Sequence, residues 1–169
     1  MRAAVFALSS VLLAAVSQAE PTTAPAVVRP WPCRLVVEDT LLSAILDAWR
    51  RSPTLQQQCR TLADARAVVR LEWGKSESYT EAVTRLGTNE GGGIVAIVSV
   101  PPVAKAIELV AHEMEHVIER VEGRDLPREA RRRGSGVWEA FGGRFESRRA
   151  IDAGRQVARE VEASRRQRR

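Results

Sequence analysis

Apolar residues recur along this chain with two different periods, and the switch between them marks its elements. Behind Asp39 and Thr40, Leu41, Leu42, Ile45, Leu46 and Trp49 fall at helical spacing and predict a helix from about Asp39 to Arg51. Ser52-Pro53 ends that helix and opens another running to about Leu62, since proline suits a first helical turn. From Ala67 to Trp73 the period drops to two: Val69, Leu71 and Trp73 alternate with Val68, Arg70 and Glu72, as in a half-buried strand. Ser76 to Leu86 suits a strand or a short helix and is read as strand. After Gly91-Gly92-Gly93, the β-branched run Ile94 to Val100 is the clearest strand, stopped by Pro101-Pro102.

A helix from about Val103 to Val121 follows, with Ile107, Val110, Met114, Val117 and Val121 on one apolar face and Gly123 placed to cap its end. After Leu126-Pro127 the pattern is helical again, broken near Gly134-Ser135-Gly136 and resumed from about Val137 to Ser164. Helices, a small antiparallel or mixed sheet and further helices make an α+β fold.

The N-terminus adds a different kind of segment. Met1-Arg2 precedes an apolar run from Ala3 to Val16, and Ser17-Gln18-Ala19 supplies the small residues a signal peptidase reads. The run is too short for the roughly 20 residues a bilayer core needs. The expectation is export, with cleavage near Ala19 into the periplasm or the medium and no stable membrane anchor. Glu20 to Pro32, with its prolines, reads as an extended leader. Residues 33–164 then form a single domain, and 165–169 a basic tail. Export puts Cys33 and Cys59 where a disulfide persists, and a bridge between them ties the leader to the second helix; two buried free thiols are the alternative.

The net charge of +5 falls to +4 once Arg2 is removed, and nearly all the positive charge is arginine, much of it beyond Pro127. Between Arg144 and Arg159 the arginines are interleaved with Glu146, Asp152 and Glu160 at helical spacing, which describes a solvated, ion-paired helix face. Nothing aromatic is interleaved with the arginines of the tail. An envelope- or nucleic-acid-binding role is therefore the weakest reading, and no nucleic-acid partner is expected.

The chemistry concentrates in His112-Glu113-Met114-Glu115-His116, which contains the only two histidines of the chain. Residues four apart share a helix face, so both imidazoles can reach one metal ion about 2 Å away. Glu113, one step round the helix, can take a proton from a water held at such an ion. A random histidine pair would meet this spacing, with glutamate after the first, roughly once in a thousand chains. A catalytic zinc needs a third protein ligand, and with no third histidine that ligand is expected to be a carboxylate.

His112 to His116 reads as HExxH and resembles the zinc metallopeptidases of the zincin clan. The resemblance implies zinc held by His112 and His116, Glu113 as catalytic base, a zincin-type active-site helix and a peptide or protein substrate. Glu119 and Glu122 stand where metzincins place glycine and histidine, so the likeness is to the gluzincin branch, whose third ligand is a glutamate on a later helix. Glu146 is preferred, since Phe145 to Val157 looks like the second-motif helix of small bacterial gluzincin-like proteins; Glu139 is the first substitute and Asp125 a distant one. Where larger gluzincins carry an aspartate that orients the first histidine, this chain has Ala150, which passes that task to Asp152, a backbone carbonyl or nothing. Glu115, charged where the clan prefers an uncharged residue, is expected to face solvent. Ile94 to Val100 occupies the place of the strand on which zincin substrates lie extended. No residue is assigned to stabilise an oxyanion, because the only tyrosine, Tyr79, precedes the motif.

The leading expectation is thus an exported zinc metallopeptidase. The alternative is a catalytically silent zinc-binding structural or interaction protein of the cell envelope.

Overall fold

A computed structural model describes residues 32–74 and 82–167. The expected signal peptide, nearly all of the leader, the first part of the ambiguous segment and the last two arginines lie outside them.

Chain order is β1 (Arg34–Val37), α1 (Asp39–Arg51), α2 (Pro53–Asp64), β2 (Val68–Trp73), β3 (Val83–Thr88), β4 (Ile94–Val100), α3 (Ala106–Val121), α4 (Leu126–Ala130), β5 (Val137–Glu139), β6 (Phe145–Ser147) and α5 (Arg148–Arg166), with a 3-10 turn at Phe141–Gly143. The fold is α+β, as the periodicities imply. A mixed four-stranded sheet runs β1-β2-β4-β3. β1, β2 and β4 are parallel, while β3 is antiparallel to β4 and forms an edge.

The helices pack through the faces read from the sequence. Leu41, Ile45 and Ala48 of α1, Leu55 and Leu62 of α2, and Val110, Met114 and Val117 of α3 are buried with Val69, Leu71, Val98 and Val100 of the sheet. Ser52 caps α2, its hydroxyl accepting from Leu55 N at 3.0 Å, and Pro53 fills the first turn. Cys33 and Cys59 are joined in a disulfide. It fastens the chain just before β1 to α2, and closing such a loop contributes about 3 kcal/mol.

Three expectations need correction. β1 was not read as a strand, because four residues are too few to display a period; pairing with β2 buries Leu35 and Val37. The helix expected from Val137 to Ser164 is a β5–β6 hairpin followed by α5. Gly142 and Gly143, at φ of 77° and 73°, turn that hairpin in a backbone region open chiefly to glycine. Arg165 and Arg166, assigned to a tail, complete α5.

No helix among the described residues is long and apolar enough to cross a membrane.

Candidate metal centre

α3 is the element on which the centre is built. Its apolar side packs on the sheet through β3 and β4, and α5 lies along it in the most extensive helix–helix contact of the fold. Gly154 of α5 makes that contact close: a Cβ there would meet Glu108 O at 2.7 Å and His112 Cβ at 3.1 Å. The ends of the two helices are thereby set so that the first residues before α5 face the histidines of α3.

His112 and His116 present their rings edge to face, centroids 4.9 Å apart. Both Nε2 atoms point at the carboxylate of Glu146: His112 Nε2 lies 3.2 Å from Oε2 and His116 Nε2 3.2 Å from Oε1. Glu146 reaches them from β6, immediately before α5, rather than from within a helix; β6 pairs it with Trp138 of β5, and Ser147 N donates to its Oε1 at 2.8 Å. The ligand-capable atoms of His112, His116 and Glu146 all lie within 4.8 Å of one another, and this group could hold a metal ion. The 3.2 Å separations are close to the ~3.3 Å between neighbouring ligand atoms of a tetrahedral ion with bonds of about 2 Å, so the donors fit such an ion. Glu139 is exposed on β5, and Asp125 caps α4 by accepting from Arg128 N at 3.0 Å. Neither belongs to the group.

A second layer of contacts fixes these side chains. His116 Nδ1 lies 2.8 Å from Glu119 Oε2, and Glu119 is fully buried. Glu119 is bound in turn by Arg124, whose guanidinium also holds Glu129, and by the hydroxyl of Ser147. Arg124 comes back to Glu119 because α3 ends in a left-handed turn at Gly123 (φ 74°), with Gly123 N bonded to Arg120 O and Arg124 N to Glu119 O. Burial opposes a proton on His116, but the contacts with Glu119 and Glu146 outweigh it and raise its pKa to about 9. Burial would likewise raise the pKa of Glu146, yet hydrogen bonds with His112 and His116 hold it far below the ordinary carboxylate range.

Glu119 thus orients His116, the second histidine, whereas Asp152, considered for orienting His112, is exposed on α5. The signal was legible in principle, since Glu119 follows His116 by three and shares its helix face. Glu115 also departs from expectation. It is buried, accepting from Gln58 Nε2 at 2.7 Å and from Arg149 Nε at 2.6 Å. A charge on a helix was read as solvated because its partner, 34 residues later, was not visible from spacing.

Glu113 is 8% exposed and turned toward the centre: its Oε1 lies 4.0 Å from His112 Nε2, while its Oε2 accepts from Thr84 Oγ1 at 2.6 Å. Thr84 belongs to β3, and no motif or spacing in the chain links it to the histidine pair. Beside these groups opens a cleft of about 970 Å³, lined by Val83, Thr84 and Leu86 of β3 and also by Leu126, Ala140 and Phe145. The strand bordering the cleft is thus β3 and not β4, which is interior because β3 pairs along its whole length.

Comparison with protein-family models, with curated proteins and with solved structures gives no match.

Proposed function

We propose that this protein is an exported zinc-dependent peptidase in which His112, His116 and Glu146 bind the metal and Glu113 is the catalytic base. The observation that carries the reading is the convergence of both histidine Nε2 atoms on one glutamate, 30 residues further along the chain, at the wall of an open cleft. Two imidazoles and a carboxylate suit zinc among the common divalent ions and leave a position for water. Zinc bound there supplies a Lewis acid that polarises a peptide carbonyl and acidifies water at neutral pH.

The remaining work falls to the protein. Glu119 holds His116 by its Nδ1 and so keeps Nε2 directed at the metal position. Thr84 occupies Glu113 Oε2 and leaves Oε1, on the histidine side, to take the proton from the attacking water and return it to the departing amine. Among the described residues β3 is the edge strand of the sheet, and an extended peptide would lie along the cleft as a strand added to it. The disulfide is compatible with the oxidising compartment that export implies.

The test is zinc content alongside hydrolysis. The native protein is expected to carry about one zinc per chain, His112→Ala and Glu146→Ala to lose it, and Glu139→Ala to keep it. Glu113→Gln should retain zinc and lose hydrolysis, and a chelator should abolish activity that added zinc restores. Zinc bound without hydrolysis of any peptide would favour the silent binding protein, and a folded protein that takes up no zinc would end both readings.

A further inference from the structure

We propose that the cleft selects substrates carrying a carboxylate close to the cleaved bond, and that Arg120 is the residue that recognises it. This deepens the peptidase reading and rests on the cleft being where the peptide lies. Arg120 follows His116 by four and His112 by eight, so it continues the α3 face that carries the histidines, and it lines the cleft.

The charges around it are already committed. Glu146 is held by both histidines, Glu113 by Thr84, and Asp125 by the backbone of α4. Arg124, the next arginine along the chain, is bound by Glu119 and Glu129. Arg120 is exposed and makes no ion pair among the described residues. A cation in the last turn of a helix complements the helix dipole, which accounts for a positive residue in that turn but not for its place on the cleft face.

A guanidinium is the side chain best matched to a carboxylate, through two parallel hydrogen bonds. Four helical residues advance about 6 Å, and an extended peptide advances about 3.3 Å per residue. A carboxylate bound at Arg120 therefore belongs to a residue about two positions from the bond beside His116. It is either an acidic side chain or the C-terminal carboxylate of a short peptide.

The experiment uses end-blocked peptide pools that are identical except for Glu or Gln at a scanned position, and a third pool with a free C-terminal carboxylate. Cleavage by the zinc-loaded protein is read by mass spectrometry, and binding of the same labelled pools to the Glu113→Gln protein by fluorescence anisotropy. The Glu pool is expected to be favoured about tenfold in both readouts, the size of one exposed charge-assisted contact. That ratio should fall to about one in Arg120→Gln, stay intermediate in Arg120→Lys and reverse toward Lys-containing peptides in Arg120→Glu. Preference confined to the third pool would identify the C-terminus as the source of the carboxylate. Equal cleavage of all pools would overturn the proposal and leave the peptidase reading standing. No cleavage, with tight and Arg120-dependent binding of the acidic pool, would do the reverse. Neither cleavage nor preferential binding would remove both.

Discussion

At its first turn α5 is fastened to α3 by charge: Arg149 donates to the buried Glu115 and pairs with Glu122, while Glu146, two residues before the helix, meets both histidines. Toward its other end α5 is fastened to α1 and α2 mainly through one carboxylate met by neutral donors, with an outer ion pair between Arg165 and Asp47 at 2.9 Å. Glu160 accepts from Ser52 Oγ at 2.5 Å, Thr54 N at 3.1 Å, Thr54 Oγ1 at 2.8 Å and Gln156 Nε2 at 2.9 Å, and Arg51 Nη1 donates to Ser164 Oγ at 3.3 Å. Four of these bonds converge on one carboxylate at the start of α2, where unpaired amides and the helix dipole favour negative charge. The first end holds groups whose relative positions decide whether an ion can bind. The second closes the helix layer. Damage at the first end should therefore appear in metal affinity as well as stability, and damage at the second in stability alone.

The largest effect is expected at the charged end. Arg149→Ala leaves Glu115 buried with Gln58 as its remaining partner. Removing one partner of a buried ion pair costs about 3–5 kcal/mol. Arg149 is 41% exposed, so screening reduces the expected loss to about 2 kcal/mol. Zinc affinity should fall about tenfold, because the segment that presents Glu146 is no longer tied to the motif helix. Adding Glu115→Gln should recover most of the stability by removing the stranded charge, but not the affinity. Urea unfolding and zinc competition against a chelator separate the two quantities. Unchanged zinc affinity in Arg149→Ala would show that this anchor is structural only.

Between the two ends, Gly154→Ala probes what both anchors serve. Alanine in a helix interior is favoured over glycine by about 1 kcal/mol. Here the added Cβ would sit 2.7 Å from the backbone oxygen of Glu108, an atom that cannot move without the helix, and overpacking of this kind costs about 1–3 kcal/mol. The net expectation is a loss of about 0–2 kcal/mol, with weaker zinc binding because the same Cβ crowds His112. A more stable Gly154→Ala protein with native zinc affinity would mean that α5 shifts freely on α3, and the contrast between its ends would lose its basis.

The sequence disclosed the parts of this arrangement that depend on short spacings. The face of α3, the motif pair at His112 and His116, and the strand Ile94 to Val100 are all local periodicities, and each lies on the element read for it, although Ile94 to Val100 is an interior strand and not the one bordering the cleft. Glu146 was reached through resemblance, and it joins the histidines from a strand rather than a helix. Glu115–Arg149, Thr84–Glu113 and Glu160–Ser52 join residues 34, 29 and 108 apart. No periodicity encodes such pairs, because they arise only once packing has chosen which helix faces meet. The same reasoning explains why β3 was not recognised as the cleft wall: a strand becomes an edge through the order of the whole sheet.

The smallest effect is expected at the Glu160 end. Glu160→Gln keeps a side chain that can accept from Thr54 N but removes the charge that several donors share, at a cost of about 1 kcal/mol. Zinc affinity should be native. The effect also carries a pH signature. Burial alone would raise the pKa of Glu160, but the hydrogen bonds from Ser52, Gln156 and Thr54 outweigh it, and the folded-state value lies below the ordinary 4.5. A carboxylate with a depressed folded pKa contributes stability in full above its unfolded value, and loses that contribution as pH falls through the folded one. The stability difference between native and Glu160→Gln should accordingly be flat above about pH 5 and shrink as the solution is acidified below 4.5. Urea midpoints for the two proteins across that range measure it. A difference that persists undiminished at low pH would assign the loss to altered packing at the start of α2 and not to the charge. Weakened zinc binding in this variant would show that the two ends of α5 communicate, and that holding the metal group in place depends on the whole helix and not on its first turn.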